Sequence, residues 1–167
     1  DARRRGAKAS VVLGDARLVM EQEENRAFDV LVLDAFSSDA IPVHLLTKEA
    51  LEIYAKHMDE KGVIAVHISN RHLRLEGVAF RLARELGWEA VRVVVDETGA
   101  GLGLNLYTSD WVLLTRNREF IEETGQAAFR GSVSGYPLWT DDHVSLLPIV
   151  SPPEWWTRVQ SWFRGSK

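Results

Sequence analysis

The stretch Phe28-Asp-Val-Leu-Val-Leu-Asp-Ala-Phe-Ser-Ser-Asp-Ala-Ile-Pro42 decides the fold class of this chain. Asp29 to Leu33 is mostly a short apolar run, which is typical of a strand buried on both faces of a parallel sheet. The run ends at Asp34, and a second acid follows at Asp39. A carboxylate at the end of a buried strand is costly unless it is hydrogen-bonded or used. Asp34 is therefore the first candidate functional residue.

Strands and helices alternate on both sides of this stretch. The apolar patterns predict strands at 10–13, 29–33, 62–68, 90–95 and 111–115, and helices at 15–24, 47–58 and 73–86. Thr47 is the expected N-cap of the second helix, and Gly87 is expected to end the third. The alternation predicts a doubly wound α/β layer with a mostly parallel sheet. The connection from Val95 to Trp111 is too short for a crossover helix, so these two strands should form an antiparallel hairpin.

Composition sets the class of protein. The chain has 167 residues, of which 46% are hydrophobic and 26% charged, as expected for one globular domain. A net charge of -4 gives no general attraction to nucleic acid. The chain has no cysteine, which excludes disulfides and thiolate chemistry. No apolar run approaches the roughly 20 residues of a membrane span, and no signal peptide opens the sequence.

The predicted α/β domain occupies residues 1–150, and a tryptophan-rich helix follows at 151–167. In this final segment the apolar side chains share a broad face that suits core or interface packing: Trp155, Trp156, Val159, Trp162 and Phe163.

A glycine-rich loop in the hairpin imitates a nucleotide-binding motif. Asp96-Glu-Thr-Gly-Ala-Gly-Leu-Gly103 follows a valine-rich strand and has glycines at alternate positions. A phosphate cradle requires a helix directly after the loop, because free helix N–H groups hold the ligand. Residues 104–110 have no helical pattern, which favours a hairpin loop.

Two carboxylates should lie where open α/β sheets bind their ligands, at the carboxyl ends of the strands. Asp15 follows the first predicted strand and Asp34 ends the second, so both could point into one crevice. Asp15 has an alternative role as a helix N-cap. Asp39 could cap a turn with Ser37 and Ser38. The residues alone leave these alternatives open.

Four segments together resemble the carboxyl-terminal part of spermidine synthases, most of all the spermidine synthase-like domains that bacteria fuse to membrane-spanning segments. They are Gly14-Asp-Ala-Arg17, Asp29-Val-Leu-Val-Leu-Asp34, Leu46-Thr-Lys-Glu-Ala-Leu-Glu-Ile-Tyr54 and Gly62-Val-Ile-Ala-Val-His-Ile-Ser-Asn70. The resemblance covers residues 9 to 115, and Trp139-Thr-Asp-Asp142 is also similar to the fused subfamily.

The resemblance implies a partial Rossmann-like methyltransferase fold and aminopropyl transfer from decarboxylated S-adenosylmethionine to a polyamine or other small amine. Asp15, with Ala16 beside it, would match the position that binds the adenine amino group. Asp34 would match the acid that orients and deprotonates the attacking amine. No metal is implied. The chemistry agrees, because a protonated amine cannot attack carbon until a base takes its proton.

The chain departs from the family pattern near the acceptor site. The second acid of the family corresponds to Ser37 here, and an acid comes only at Asp39, so we expect Asp39, Ser37 and Ser38 to shape the choice of acceptor. At the end of the third predicted strand, His67 and Ser69 stand where the family often has a glutamine and an acid. His67 is interpreted as a structural histidine.

The resemblance also implies two strands before Gly14 that carry a glycine-rich cofactor loop and a ribose-binding acid. The sequence before Gly14 has room for neither, so we expect a fragment of a longer protein that is inactive alone. Exposed strand edges or the tryptophan-rich end should then favour a homo-oligomer. The alternatives are a non-catalytic domain for binding or assembly, and a different nucleotide-binding α/β protein that uses Gly99 to Gly103. We expect a cytoplasmic location, without contact between this domain and the membrane, either free or as the soluble domain of a membrane-anchored parent.

Overall fold

The computed structural model describes residues 5–35, 42–70, 72–95, 108–125 and 127–151. In chain order the helices and strands are α1 (Ala16–Gln22), β1 (Phe28–Leu33), α2 (Lys48–Lys56), β2 (Met58–His67), α3 (Glu76–Leu86), β3 (Glu89–Val95), β4 (Ser109–Thr115) and α4 (Arg118–Glu123). Short 3-10 turns occur at Val43–Leu45 and Leu147–Ile149.

The strands of the described residues form one mixed sheet in the order β1-β2-β4-β3. β1 and β2 are parallel neighbours, whereas β4 is antiparallel to both β2 and β3. β1, β2 and β3 therefore run in the same direction, and β4 lies between β2 and β3 as the reversed strand. The sheet confirms the predicted α/β class and its carboxyl-terminal antiparallel hairpin.

The core lies around the two central strands. Ile64 of β2 and Leu114 of β4 are paired in the sheet and have no exposed surface. α2 buries Leu51, and α3 buries Leu82, in the same apolar cluster. Both helices have their apolar residues at three- and four-residue spacing, so burial of one face accounts for their stability in the fold.

The caps at Thr47 and Gly87 agree with the predictions. α2 ends at Lys56 and not at Met58, which begins β2, and α3 starts later than predicted. Thr47 Oγ1 accepts a hydrogen bond from the Ala50 N–H at 3.2 Å, and Gly87 ends α3 in the left-handed conformation with φ of 68°. α3 begins at Glu76 and not at Leu73. The reason is tertiary, because Leu73 forms a β-bridge with Val150 and its neighbouring backbone is engaged in extended pairing.

The predicted strand at 10–13 is wrong. These residues form no strand, and Val11 and Leu13 are 87% and 91% exposed. An extended segment becomes a strand only when a neighbour accepts and donates its backbone hydrogen bonds. None of the strands among the described residues pairs with this segment.

The prediction that β1 is buried on both faces is also wrong. Val30 and Val32 are 60% and 53% exposed, whereas Leu31 and Leu33 pack against the core. β1 is an edge strand of the described sheet, and one of its faces carries apolar side chains that no described element covers. The apolar run indicates the residues suited to burial, but the packing decides which of them are buried.

Some predictions fall outside the described residues. These are the glycine-rich loop at 99–103, the tryptophan-rich segment at 154–164 and the acceptor residues Ser37, Ser38 and Asp39. The boundary predicted at residue 150 also stays a prediction. None of the helices in the described ranges is long and apolar enough to cross a membrane.

Candidate functional site

Asp34 lies at the carboxyl end of β1, beside the end of β2. The parallel register pairs Leu33 with Val66, so the next residues, Asp34 and His67, are neighbours across the two strands. Their side chains form a hydrogen bond of 2.7 Å between His67 Nδ1 and Asp34 Oδ1. The Asp34 side chain is 52% exposed and that of His67 22%. The structure thus places the predicted base at the open edge of the sheet with an imidazole as its partner.

His67 continues the contact to a hydroxyl group. Its Nε2 lies 2.8 Å from Ser69 Oγ, and Ser69 Oγ accepts a hydrogen bond from the Asp110 N–H at 2.8 Å. The imidazole also stacks on Trp111, its partner across the β2–β4 pair, with ring centroids 4.6 Å apart. We call Asp34, His67 and Ser69 the carboxylate–imidazole–hydroxyl array.

The sequence pattern pointed to Asp34 but not to its partner. The pattern favours a structural histidine at His67, and the structure brings it into direct contact with the candidate base. The two-residue spacing of His67 and Ser69 in an extended segment indicates that they share a face. That spacing was a usable signal, although which neighbour stands opposite depends on the strand register.

A cavity of about 600 Å³ adjoins the hydroxyl end of the array. Ser69 of the array and Asp110, which contacts Ser69, both line the cavity. Arg92 lines it as well. Arg92 forms ion pairs with Asp110 at 2.5 Å and Glu76 at 3.0 Å. The hydrogen bond to Asp110 raises the pKa of Arg92, so its charge is fixed and locally neutralised.

Asp15 forms the N-cap of α1 and also binds a histidine. One carboxylate oxygen accepts from the Leu18 N–H at 3.1 Å, and the other lies 2.7 Å from His44 Nε2. The Leu18 N–H and, next, the His44 hydrogen bond hold the pKa of Asp15 below its usual value. Ala16, the first residue of α1, is exposed beside it. Asp15 and Asp34 therefore contact different histidines, and the capping role of Asp15 is confirmed.

A bidentate ion pair near Asp15 was missed in the sequence. Arg17 donates to both oxygens of Asp141, at 2.6 and 2.5 Å, and Thr47 Oγ1 donates to Asp141 at 2.8 Å. Arg17 and Asp141 line a second cavity of about 520 Å³ together with His44. Both members of the ion pair stand in segments that carried the resemblance, 14–17 and 139–142, but 124 positions separate Arg17 from Asp141.

Within the described ranges, no group of three or more His, Asp or Glu side chains is placed to hold a metal ion.

The sequence matches no protein-family model and no curated protein. Solved structures that resemble the chain include a probable spermidine synthase from Corynebacterium glutamicum, with 20% identity and a TM-score of 0.52 over 85% of this chain and 56% of that chain. A spermidine synthase from Thermotoga maritima has 12% identity and a TM-score of 0.46 over 89% of this chain and 48% of that chain. MnmC2 from Aquifex aeolicus has 25% identity and a TM-score of 0.43 over 64% of this chain and 30% of that chain.

The chain spans between 30% and 56% of the length of these three solved chains. The similarity to the Corynebacterium glutamicum structure covers most of the present chain, and at 20% identity it bears on the fold alone. The chain therefore shares part of the fold of a probable spermidine synthase.

Proposed function

We propose that this chain is part of a spermidine synthase-like transferase that moves an aminopropyl group from decarboxylated S-adenosylmethionine to a polyamine. The observation that carries the proposal is the position of Asp34, a half-exposed carboxylate at the end of a parallel strand with its Oδ1 held by His67. The partial fold shared with a probable spermidine synthase supports it. The chain spans 56% of that protein, so we assign the activity to a longer parent protein and expect this chain alone to be inactive.

The role proposed for Asp34 follows from the chemistry of the transfer. An amine is protonated near neutral pH, and its nitrogen can attack carbon only after that proton is removed. Asp34 attracts the cation and takes the proton. The nitrogen then forms a bond to the aminopropyl carbon as the bond from that carbon to the sulfonium sulfur breaks, which releases methylthioadenosine. Because His67 occupies Oδ1, Oδ2 is the oxygen proposed to accept the proton.

The donor would contact Asp15 and Ala16 through its adenine. Both oxygens of Asp15 already have partners, but a carboxylate oxygen has a second lone pair and can accept a further N–H. The residues present thus fit one contact to the adenine amino group. The acceptor amine would meet Asp39, Ser37 and Ser38 beyond β1, as the sequence suggests.

A non-catalytic role in binding or assembly is the second candidate. Its supporting observation is the exposure of apolar side chains, Val30 and Val32 on β1 and Val11 and Leu13 before α1. Exposed apolar patches mark surfaces that another protein element covers. A domain retained for assembly would need this surface but not the carboxylate at Asp34.

Activity and binding measurements separate the two candidates. The parent protein is incubated with decarboxylated S-adenosylmethionine and putrescine or spermidine, and methylthioadenosine release is measured. Aminopropyl transfer supports the first candidate, and its absence with every amine supports the second. Calorimetric titration of the 167-residue chain with the donor should give binding weaker than micromolar. Most of the donor's contacts are expected from the longer parent protein, and each loss of about 1.4 kcal/mol of binding free energy weakens affinity tenfold. Micromolar binding by the chain alone would contradict the expectation that it is incomplete.

A further inference from the structure

Asp34 accepts a hydrogen bond from His67 although its side chain is exposed enough to bind water instead. Its side chain is 52% exposed, so water can reach the carboxylate. The hydrogen bond from His67 is therefore not needed to compensate for burial. Its physical effect is to restrict the rotation of the carboxylate, because a charged hydrogen bond of 2.7 Å fixes one oxygen in place.

The hydrogen bonds to Asp34 and Ser69 fit a neutral His67 ring whose hydrogen is on Nδ1. An ionised carboxylate only accepts, so the hydrogen between Asp34 and His67 belongs to Nδ1. In the neutral imidazole Nε2 is then an acceptor, and Ser69 must donate its single hydroxyl hydrogen to it. Ser69 can do so because its other contact, the Asp110 N–H, uses a lone pair of Oγ and not its hydrogen.

The neighbouring residues hold the ring in this state. The stacking contact with Trp111 sets the plane of the imidazole, at 23° to the indole. The β2–β4 pairing fixes Trp111 opposite His67, so the plane depends on the sheet and not on a loop. A histidine that served only to fill space would not require a placed donor at one nitrogen and a placed acceptor at the other.

The array has the same order of groups as the triad of serine hydrolases, but its hydroxyl is used differently. A nucleophilic serine needs N–H donors aimed at the oxygen that becomes charged. Here the Asp110 N–H is directed at Ser69 Oγ itself. The geometry therefore favours Ser69 as a hydrogen-bond donor to the ring, with Asp34 as the end that meets a ligand.

We propose that His67 is a positioning residue for Asp34, acting through its Nδ1–H, and that Ser69 donates its hydroxyl hydrogen to Nε2 of the same ring. The inference rests on the proposed function, since Asp34 is the group proposed to take the proton of the acceptor amine. Oδ1 stays on His67, and Oδ2 is presented to the ammonium ion. The ligand class at this end of the array is thus a cation that donates one hydrogen bond.

The first test measures the tautomer in the 167-residue chain by long-range ¹H–¹⁵N correlation, without any assay. In the wild type we expect His67 to carry its hydrogen on Nδ1. In Asp34→Leu the acceptor at Nδ1 is lost, so the preference for this form should weaken. Ser69→Ala keeps the Asp34 acceptor and should keep the hydrogen on Nδ1. A wild-type ring without the hydrogen on Nδ1, or a ring that does not respond to Asp34→Leu, overturns the proposal.

The second test measures kinetics in the parent protein. His67→Phe keeps a ring on Trp111 but removes both nitrogens, and His67→Asn keeps one N–H donor. We expect kcat to fall by about tenfold to a hundredfold in His67→Phe, as for a misoriented catalytic group, with less loss in His67→Asn. The KM for the donor should hardly change in either. The exposed His72→Phe serves as the matched control and should keep full turnover.

The two tests separate the inference from the proposed function. Full turnover in a folded His67→Phe parent overturns the inference and leaves the aminopropyl transfer intact. A wild-type parent without aminopropyl transfer overturns both the function and the positioning role, even where the tautomer is as expected. A larger loss in His67→Asn than in His67→Phe would show a packing role on Trp111 and contradict the proposal.

Discussion

At the scale of single residues, Asp34 is a candidate in the sequence that the structure places at the end of a strand. Its position after an apolar run made it a candidate, and the structure places it at the open edge of the sheet. Its partner followed from the strand register, because Leu33 pairs with Val66 and so brings Asp34 beside His67. A residue type was predictable, whereas its hydrogen-bond partner 33 positions away was not.

We expect Asp34→Asn to lower turnover in an active parent protein by about a hundredfold or more, because the amide cannot take the proton of the amine. The melting temperature should change little, since Asp34 is half exposed. Methylthioadenosine release gives turnover, and differential scanning calorimetry gives stability. Asp29→Asn is the matched control, as an exposed carboxylate on the same strand. Full turnover in the Asp34→Asn parent would show that Asp34 is not the base.

The Arg17–Asp141 pair makes stability depend on pH. The hydrogen bond from Arg17 holds the pKa of Asp141 below its ordinary value. A carboxyl group with a lowered folded-state pKa contributes stability that is present above its unfolded value of about 4 and is lost as pH falls through the folded value. Asp141→Asn should therefore lower the free energy of unfolding at pH 7 by about 1 kcal/mol, since solvent screens this partly exposed acid.

Urea denaturation of wild type and Asp141→Asn at pH 7 and pH 3 checks this expectation. The difference between the two proteins should shrink toward pH 3. The adjacent, exposed Asp142→Asn is the control and should show a smaller difference at pH 7. A constant difference for Asp141→Asn at both pH values would show that the ion pair does not account for it.

At the scale of elements, α3 shows how a local pattern and a tertiary contact together set a helix. Its apolar spacing and its end at Gly87 were predictable. Its start was not, because the pairing of Leu73 with Val150 keeps the preceding residues extended. Gly77 lies in the first turn, where the ring of Tyr136 packs directly on the backbone.

Gly77→Ala should destabilise the protein although alanine is the better helix former. An added Cβ would lie 2.2 Å from Cδ1 of Tyr136, so the ring or the helix must move. Overpacking of this kind costs about 1 to 3 kcal/mol, more than the gain in helix propensity of about 1 kcal/mol. Thermal unfolding measures the change. Gly135→Ala, where an added Cβ meets nothing within 4 Å, should be neutral. A stabilised Gly77→Ala would mean that Tyr136 does not pack there.

At the scale of the whole molecule, one face of β1 carries apolar side chains that no described element covers. Val30 and Val32 point to this face, next to an edge of the sheet that has no partner among the described strands. Unpaired edges and exposed apolar side chains favour association with another strand or another chain. We therefore retain the prediction that the isolated chain self-associates.

Light scattering coupled to size exclusion checks this prediction. We expect a mass above the 18.8 kDa monomer that rises with concentration, and a return toward the monomer in Val30→Lys/Val32→Lys. Val94→Lys is the control, since Val94 is 53% exposed on β3, at the other end of the strand order. A monomeric mass at high concentration would count against self-association, and an equal effect of Val94→Lys would count against this face.

Local sequence pattern by itself determined the alternation of strands and helices, the antiparallel hairpin, the cap at Thr47 and the candidate at Asp34. These features depend on the period of apolar residues and on short-range hydrogen bonds, so they are encoded within a few residues. Tertiary structure alone decided that residues 10–13 form no strand and that one face of β1 is exposed. It also decided that His67 partners Asp34 and that Arg17 pairs with Asp141. Each of these depends on which distant segment of the chain packs beside the residue. A local pattern indicates that a residue can be buried or can form a hydrogen bond, but it does not identify the neighbour.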